Sequence, residues 1–255
     1  MLAERLAADE LMDDPALDAA TYRAVLADLA RVNRVTLAHR PTLAFLGRAL
    51  GARSRISVLD IGFGDGDMLR AIAAWATRRG IAAELTGVDL NPNSQSAAQA
   101  RGSPGAPIRY LTGDYAELAG GGFDCIVSSL VAHHMTGAEL VAFLRFMEAE
   151  AASGWFVNDL HRHGFAYHGW PILAAALRWH PIVRADGATW FQRRMAAITA
   201  AALRAAGLAR WLAESPLGAR AGLALAERIP MALRQLIEAS RIPPDAPLAQ
   251  PASAP

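Results

Sequence analysis

Three glycines alternate with other residues directly after a short apolar segment, in the run Asp60-Ile61-Gly62-Phe63-Gly64-Asp65-Gly66-Asp67. Glycine at Gly62, Gly64 and Gly66 lets the backbone turn sharply and approach a bound molecule closely. Asp89 ends the next predicted strand, where a carboxylate can accept hydrogen bonds from the two hydroxyls of a ribose. The pattern predicts a site for a ligand that contains a nucleoside.

The charge of this loop indicates which nucleoside ligand it binds. Dinucleotide sites use Gly-x-Gly-x-x-Gly before a helix that receives a pyrophosphate. Here the third glycine comes one residue earlier, and Asp60, Asp65 and Asp67 surround the turn. Three carboxylates repel a pyrophosphate and favour a ligand with a sulfonium and an ammonium group. We therefore predict S-adenosylmethionine rather than NAD, although Asp65 and Asp67 also suit the dipole of the following helix.

Histidines supply the second candidate chemistry. His133 and His134 follow the fourth predicted strand, whereas His161 and His163 follow the fifth. An imidazole can act as a general base that removes the proton of a hydroxyl, and Asp159 could orient the ring of His161. Structural interpretations stay open: a helix cap or a contact to the cofactor for the first pair, and a solvated loop for the second. Three further histidines are predicted to be surface or packing residues: His39, His168 and His180.

Neither a metal nor a disulfide is predicted. His161 and His163 have the spacing of a metal-binding pair, but no second cluster of ligands accompanies them. The single Cys125 excludes both an internal disulfide and a Cys-rich zinc site. One thiol without a disulfide framework suits a cytoplasmic protein.

Aromatic residues are concentrated from the fifth predicted strand onward, and they indicate either core packing or a flat aromatic substrate. The segment 169–180 is apolar on nearly every side, which suits burial or contact with a membrane surface or a partner. The aromatic residues are Trp155, Phe165, Tyr167, Trp170, Trp179, Trp190 and Phe191.

Strands and helices alternate between residues 55 and 160. Strands are predicted at residues 56–61, 84–89, 108–111, 123–128 and 154–158, and helices at 68–79, 92–101 and 137–151. Such alternation predicts an α/β fold, a Rossmann-like doubly wound and mostly parallel sheet with helices on both faces. The carboxyl edge of that sheet then carries the glycine loop, Asp89 and the histidines.

The flanks of this domain read differently. Residues 1–50 have helical spacing and predict an N-terminal helical lid, with an aspartate of Asp13-Asp14 capping the next helix and a second boundary at Arg40-Pro41. The main domain is predicted over residues 51–242, with an aromatic insertion at 161–194. Residues 208–215 and 219–226 suit an antiparallel hairpin or helices. The tail 243–255 has five prolines and predicts disorder.

Composition excludes several function classes. All 25 basic residues are arginine, so lysine Schiff-base chemistry, pyridoxal phosphate and a Walker-type loop are excluded. The formal net charge of +1 predicts no nucleic-acid partner. No apolar stretch approaches the roughly 20 residues of a membrane span, and residues 1–12 do not read as a signal peptide.

Four motifs in order resemble class I S-adenosylmethionine-dependent methyltransferases over residues 55–160. They are Val58–Met68, Val88-Asp89-Leu90-Asn91-Pro92, Thr112-Gly113-Asp114-Tyr115 and Phe123–Ser128. The resemblance implies that Asp60 and the three glycines line the methionine moiety and that Asp89 and Leu90 lie at the ribose. It also implies that Asp114 binds the adenine amino group beside Tyr115, and that Ser128 or Ser129 lies at the sulfonium end.

The fourth strand is followed by Ser128-Ser129-Leu130 and not by the Asn/Asp-Pro-Pro-Tyr tetrapeptide of many amino-group methyltransferases. This sequence therefore resembles the small-molecule branch of the family. The segments 10–15, 31–34 and 158–162 are weakly similar to bacterial methyltransferases of polyketide pathways. Together they predict methyl transfer to a hydroxyl of a small aromatic or polyketide-like acceptor.

Three alternatives stay open at this stage. The same fold would support C-methylation of a quinone or lipid precursor. A cofactor-binding partner protein without turnover belongs to a different class. A nicotinamide-dependent dehydrogenase is the most distant of the three.

Overall fold

The computed structural model describes residues 11–14, 16–102, 108–160, 174–175, 177–190 and 223–228. Six strands run β1 Arg55–Ile61, β2 Ala82–Asp89, β3 Ile108–Thr112, β4 Cys125–Ser129, β5 Gly154–Leu160 and β6 Leu223–Arg228. The described α-helices run α1 Ala19–Val35, α2 His39–Leu50, α3 Asp67–Arg78, α4 Pro92–Arg101, α5 Gly137–Glu150 and α6 Pro181–Trp190.

The sheet has the strand order β3-β2-β1-β4-β5-β6, and its first five strands are parallel. This confirms the predicted Rossmann-like sheet. The chain leaves β1 toward β2 on one side and returns to β4 on the other side. The carboxyl ends of β1 and β4 therefore form the switch point at which open α/β sheets bind ligands.

The sixth strand, β6, lies antiparallel to β5. It overlaps the second arm of the predicted C-terminal hairpin. The first arm, 208–215, lies outside the described residues, so the hairpin itself stays a prediction. The predicted tail 243–255 also lies outside them, and the domain boundaries and the role of residues 1–50 as a lid stay predictions.

Apolar side chains bury both faces of the sheet. On one face, α5 packs Phe143 and Leu144 against Leu59, Ile126 and Trp155. On the other face, α2 and α3 pack against β1, β4 and β5 in a second cluster, where the rings of Phe45 and Phe156 stack with centroids 5.3 Å apart. Burial on both faces explains why these strands are continuous apolar runs.

The N-terminal helices differ from the prediction in two details. Asp18 caps α1 by accepting hydrogen bonds from the backbone N–H groups of residues 20 and 21, so the predicted cap at Asp13-Asp14 is wrong. The break before α2 falls at residues 36–38 rather than at Arg40-Pro41. Pro41 lies in the first turn of α2, where a missing N–H costs no helical hydrogen bond.

Helix α1 packs against α6 and α4. Val25 and Val32 form a buried cluster with Trp179 and Val183. The Tyr22 hydroxyl and the Ser94 hydroxyl are hydrogen-bonded at 2.9 Å. The residues of segment 169–180 that the structure describes thus include a tryptophan packed on α1, as expected for burial. Within the described part of the chain, every helix is too short or too polar to cross a bilayer.

Candidate active site

The carboxyl ends of the parallel strands lie level with one another. Strand register pairs Ile61 with Ser128, Asp89 with Thr112, and Ser129 with Asn158. The loops that leave these strands therefore meet at one edge of the sheet. All candidate residues of the motifs between 60 and 159 lie at this edge.

The glycine loop is held by hydrogen bonds to β2. The N–H of Gly62 donates to the carbonyl oxygen of Val88 at 2.8 Å, and the N–H of Gly64 donates to Oδ2 of Asp89 at 2.9 Å. All three glycines have positive φ, at 77° for Gly62, 55° for Gly64 and 77° for Gly66. This explains why glycine is required here, since L-residues rarely adopt that conformation.

Neighbouring side chains approach the same glycines. A Cβ atom on Gly62 would lie 2.2 Å from Cγ2 of Val131, and one on Gly66 would lie 2.6 Å from the Tyr110 hydroxyl. A Cβ on Gly64 would lie 3.5 Å from Cδ2 of Leu26, which belongs to α1. The loop after β4 and the N-terminal helices therefore both contact the glycine loop.

Asp60 is the buried acid of the site. Its side chain is 2% exposed, and Oδ2 has no hydrogen-bond partner among the described residues. Burial, together with the charges of Asp67 and Asp89, raises the pKa of Asp60 well above its usual value. A buried carboxylate with an unpaired oxygen is suited to a cationic partner.

The other two acids of the loop are neutralised by the protein. Asp65 forms ion pairs with Arg70 at 3.3 Å and Arg101 at 3.1 Å. Burial and the charge of Asp67 raise the pKa of Asp65, whereas the two arginines lower it. Asp67 is hydrogen-bonded to Asn33 of α1 and to His39 of α2. Asp65 and Asp67 therefore have partners within the protein, so the expectation that all three carboxylates present their charge to a ligand stays a prediction for Asp60 alone.

Asp89 lies where the motif predicted it, at the carboxyl end of β2. Its two oxygens accept from the N–H groups of Gly64 and Asn91, both at 2.9 Å. Leu90 follows with 75% of its surface exposed. The N–H of Gly113 donates to the Asp89 carbonyl oxygen at 3.0 Å, so the loop after β3 lies beside them.

The loop after β3 carries Asp114 and Tyr115. Asp114 is exposed and caps a short 3-10 helix by accepting from the N–H of Ala116 at 2.9 Å. Tyr115 packs edge-on against Phe143 and Phe146 of α5, with ring centroids 5.3 and 4.9 Å away. Tyr115 thus has a packing role, whatever else it contacts.

Two serines end β4 and differ in their surroundings. The Ser128 hydroxyl donates to the carbonyl oxygen of Ile61 at 2.9 Å and is fully buried, which ties β4 to β1. The Ser129 hydroxyl is buried without a partner among the described residues. Of the two, Ser129 is the one with unmet hydrogen-bonding capacity.

Among the four candidate histidines, His133 has a defined carboxylate partner. Its Nδ1 lies 2.7 Å from Oδ1 of Asp159, and its backbone N–H donates to Oδ2 of the same residue at 3.0 Å. The ring of His134 lies beside that of His133, with centroids 4.1 Å apart, and His134 is exposed. His161 and His163 lie outside the described residues. Asp159, expected to orient His161, is thus hydrogen-bonded to His133.

The described residues contain no group of three His, Cys, Asp or Glu side chains that could hold a metal ion. The site is therefore built from a glycine loop, carboxylates and an Asp–His pair.

Residues 58–151 match the family described as "Methyltransferase domain". The matched stretch contains the glycine loop, Asp89, Asp114 and the serines that end β4, on the sheet described above. These residues form a class I S-adenosylmethionine-dependent methyltransferase domain. The methyl donor of this family is S-adenosylmethionine.

Solved structures share the fold of this methyltransferase at low identity. The plantazolicin methyltransferase BpumL, in complex with a monoazolic desmethylPZN analog and S-adenosylhomocysteine (SAH), is 14% identical with a TM-score of 0.51, over 72% of this chain and 68% of that chain. Magnesium protoporphyrin IX methyltransferase (ChlM) from Synechocystis PCC 6803 with bound SAH is 16% identical with a TM-score of 0.50, over 85% and 89% of the two chains.

A third structure, the plantazolicin methyltransferase BamL in complex with a triazolic desmethylPZN analog and SAH, is 17% identical with a TM-score of 0.48, over 67% of this chain. The chain spans 61% of the length of BamL. No curated protein matches the chain.

Sequence reasoning missed several polar residues of this methyltransferase. Asn33 and His39 contact Asp67, although His39 was expected to be an ordinary surface or packing residue. Asn158 is buried at the end of β5, and its Nδ2 donates to the carbonyl oxygen of Ala38 at 3.1 Å. A polar residue at the end of an otherwise apolar strand was the available signal for Asn158. For Asn33 and His39 there was none, because their partner lies far away in the sequence.

Proposed function

We propose that this methyltransferase transfers a methyl group from S-adenosylmethionine to a hydroxyl of a small aromatic or polyketide-like acceptor, with His133 as the general base. The observation that carries the proposal is the buried hydrogen bond between His133 and Asp159 at the switch-point edge. Val131, two residues before His133, contacts Gly62 of the glycine loop. The proposed base therefore belongs to a segment that lies directly against the proposed donor site.

The donor site is assigned to the glycine loop and the end of β2. Gly62, Gly64 and Gly66 allow close approach of the ligand, and Asp60 offers a buried carboxylate oxygen without a described partner. S-adenosylmethionine supplies an electrophilic methyl group on a positively charged sulfur. The buried, unpaired carboxylate of Asp60 fits the positive charge of that molecule.

The adenosine half is assigned to the loops after β2 and β3. Asp89 is proposed to bind the ribose, and the exposed side chain of Leu90 offers an apolar surface to the base. Asp114 is proposed to bind the adenine amino group, and Tyr115 to lie beside the ring. Ser128 and Ser129 are proposed at the sulfonium end, where Ser129 has the free hydrogen-bonding capacity.

The base requires a defined tautomer. A carboxylate only accepts hydrogen bonds, so the contact with Asp159 places the proton on Nδ1 of His133. The lone pair of the neutral ring is then on Nε2, which can take the proton of an acceptor hydroxyl. The negative charge of Asp159 stabilises the imidazolium that results.

The N-terminal helices are proposed to act as a lid. Leu26 of α1 contacts Gly64, and α1 also packs on α6 through Val25, Val32 and Trp179. A closed site excludes water and strengthens the interactions of the carboxylates within it. In-line methyl transfer then depends mainly on how the acceptor oxygen is positioned.

The proposal is tested with a panel of phenols and related small hydroxyl compounds, with the products identified by mass spectrometry and NMR. The proposal is supported if the wild type forms an O-methylated product and His133→Gln does not. A C-methylated product from a quinone or lipid precursor would replace the hydroxyl acceptor, and SAH binding without turnover on any compound would favour a non-catalytic partner protein. His134→Ala, His161→Ala and His163→Ala belong in the same assay, because those histidines are the competing candidates for the base.

A further inference from the structure

The carboxylate of Asp67 receives two hydrogen bonds from the N-terminal helices. Nδ2 of Asn33, in α1, donates to Oδ2 of Asp67 at 2.9 Å. Nε2 of His39, the first residue of α2, lies 2.9 Å from the same oxygen. Both contacts are half-buried, so bulk water competes with them only in part.

Asp67 is placed to control the shape of the glycine loop. It follows Gly66 directly and is the first residue of α3, and its own N–H donates to Oδ1 of Asp65 at 3.1 Å. Three glycines within five residues leave the loop with many backbone conformations of similar energy. A restraint at its carboxyl end therefore reduces the entropy that is lost when a ligand orders the loop.

The charges around Asp67 make that restraint necessary. Asp67 raises the pKa of both Asp60 and Asp65, which means that the three carboxylates repel one another. Burial raises the pKa of Asp67, but the hydrogen bonds from His39 and Asn33, with the charges of His39 and Arg70, hold it below its usual value. Without His39, the first turn of α3 would carry a carboxylate repelled by its neighbours.

The turn between α1 and α2 is also anchored on its other side. Nδ2 of the buried Asn158 donates to the carbonyl oxygen of Ala38 at 3.1 Å. Ala38 immediately precedes His39, so the sheet edge fixes the point from which His39 reaches Asp67. The segment from Asn33 to His39 is thus held between β5 and the glycine loop.

We propose that Asn33 and His39 are positioning residues of the donor site, which act through Asp67 to hold the glycine loop in its ligand-binding conformation. The inference rests on the proposed donor site. It makes donor affinity depend on the N-terminal helices.

The experiment measures the dissociation constant of SAH by calorimetry at one fixed pH. His39→Ala and Asn33→Ala are each expected to weaken binding by about 3- to 10-fold, the range of one partly buried hydrogen bond. His39→Gln keeps a donor near the position of Nε2 without its charge. It is expected to bind SAH more tightly than His39→Ala, because it can restore a hydrogen bond to Asp67.

Asp28→Asn is the matched control. Asp28 lies on α1, accepts from Arg31 and from the N–H of His180, and makes no described contact with the glycine loop. This variant is expected to lower the melting temperature and to leave SAH affinity unchanged. If Asp28→Asn weakens SAH binding as much as the variants at Asn33 and His39, loosening of α1 is sufficient to weaken binding. That result would overturn the role of Asp67.

Two further outcomes separate the inference from the proposed function. If the wild type binds SAH and the variants at Asn33 and His39 bind it equally well while melting earlier, their contacts are only structural and the inference is wrong. If the wild type does not bind SAH at all, the donor site itself is wrong and the proposed function fails with it.

Discussion

His133 and Asp159 form a buried hydrogen-bonded pair, with 2.7 Å between Nδ1 and Oδ1 and with 2% and 1% of the two residues exposed. They come from different strand ends, since His133 follows β4 and Asp159 lies in β5. Because β4 and β5 are parallel neighbours, both ends face the same edge of the sheet. The pair therefore depends on the sheet and not on local sequence.

Replacement of Asp159 tests the role of this pair. In Asp159→Asn the side chain keeps its shape but loses its charge and the control of the His133 tautomer. We expect kcat for O-methylation to fall by about 10²- to 10⁴-fold, the usual contribution of general base catalysis, while SAH affinity stays close to that of the wild type. Kinetics on an acceptor found in the panel provide the measurement.

Asp124→Asn provides the control for that substitution. Asp124 immediately precedes β4 at the opposite edge of the sheet, where it binds Arg53 and the N–H of Ser57. Asp124→Asn is expected to lower the stability of the protein and to leave kcat unchanged. Two results would exclude His133 as the base. One is a kcat in Asp159→Asn equal to that of the wild type, and the other is a larger fall of kcat in His134→Ala than in His133→Gln.

Asp89 is predicted to be required for donor binding. Asp89→Ala removes a carboxylate whose loss should weaken SAH binding by about 10- to 100-fold, the range for hydrogen bonds to a charged group. Asp89→Asn separates two effects, because its amide oxygen can still accept one of the N–H bonds that shape the loop. Glu84→Ala, on the same strand but in an exposed ion pair with Arg55, is the control and should leave SAH affinity unchanged. An Asp89→Ala protein with wild-type affinity would exclude Asp89 from the ribose site.

Asp60 is predicted to lower the free energy of unfolding at neutral pH while it contributes to ligand binding. Its raised pKa means that the folded state holds the proton more tightly than the unfolded chain. The stability that this proton contributes is present at low pH and is lost as pH rises through the raised pKa. Asp60→Asn should therefore raise the melting temperature at neutral and higher pH, by about 2–4 °C for each kcal/mol recovered, and weaken SAH binding. Melting curves across pH test this; a variant that melts earlier than the wild type throughout would contradict it.

Gly62 is predicted to tolerate no side chain. Gly62→Ala forces a left-handed conformation that costs about 1–2 kcal/mol, and its Cβ would collide with Val131. Gly62→Ala/Val131→Ala removes the collision but not the conformational cost, so it should recover part of the lost stability. Denaturant unfolding of the two single variants and the double variant measures this coupling. If the free energy of unfolding lost by the double variant equals the sum of the losses of the two single variants, Val131 does not confine the loop.

The parallel sheet and the positions of the motifs could be predicted because their signals are local. The apolar run before Gly62 and the position of Asp89 at the end of the next strand are visible within short windows. Strand ends differ from the prediction by one or two residues, as at β4, which begins at Cys125 rather than at residue 123. Such differences do not move the site.

The partners of the site residues could not be predicted because they are distant in sequence. Asp159 contacts His133, 26 residues earlier, whereas the sequence suggested only the neighbouring His161, which lies outside the described residues. Asp65 was expected to present its charge to a ligand, but Arg101 reaches it from the end of α4. Each of these pairings requires the register of the sheet, which a single sequence does not show.

Titration of the intact protein with SAH tests the central claim most directly. The arrangement of Asp60, the glycine loop and Asp89 predicts saturable binding of one SAH per chain, weakened in Asp89→Ala and unaffected by NADH. Absence of heat with millimolar SAH, or competition by NADH for the same site, would contradict the assignment of the glycine loop to a sulfur-containing nucleoside.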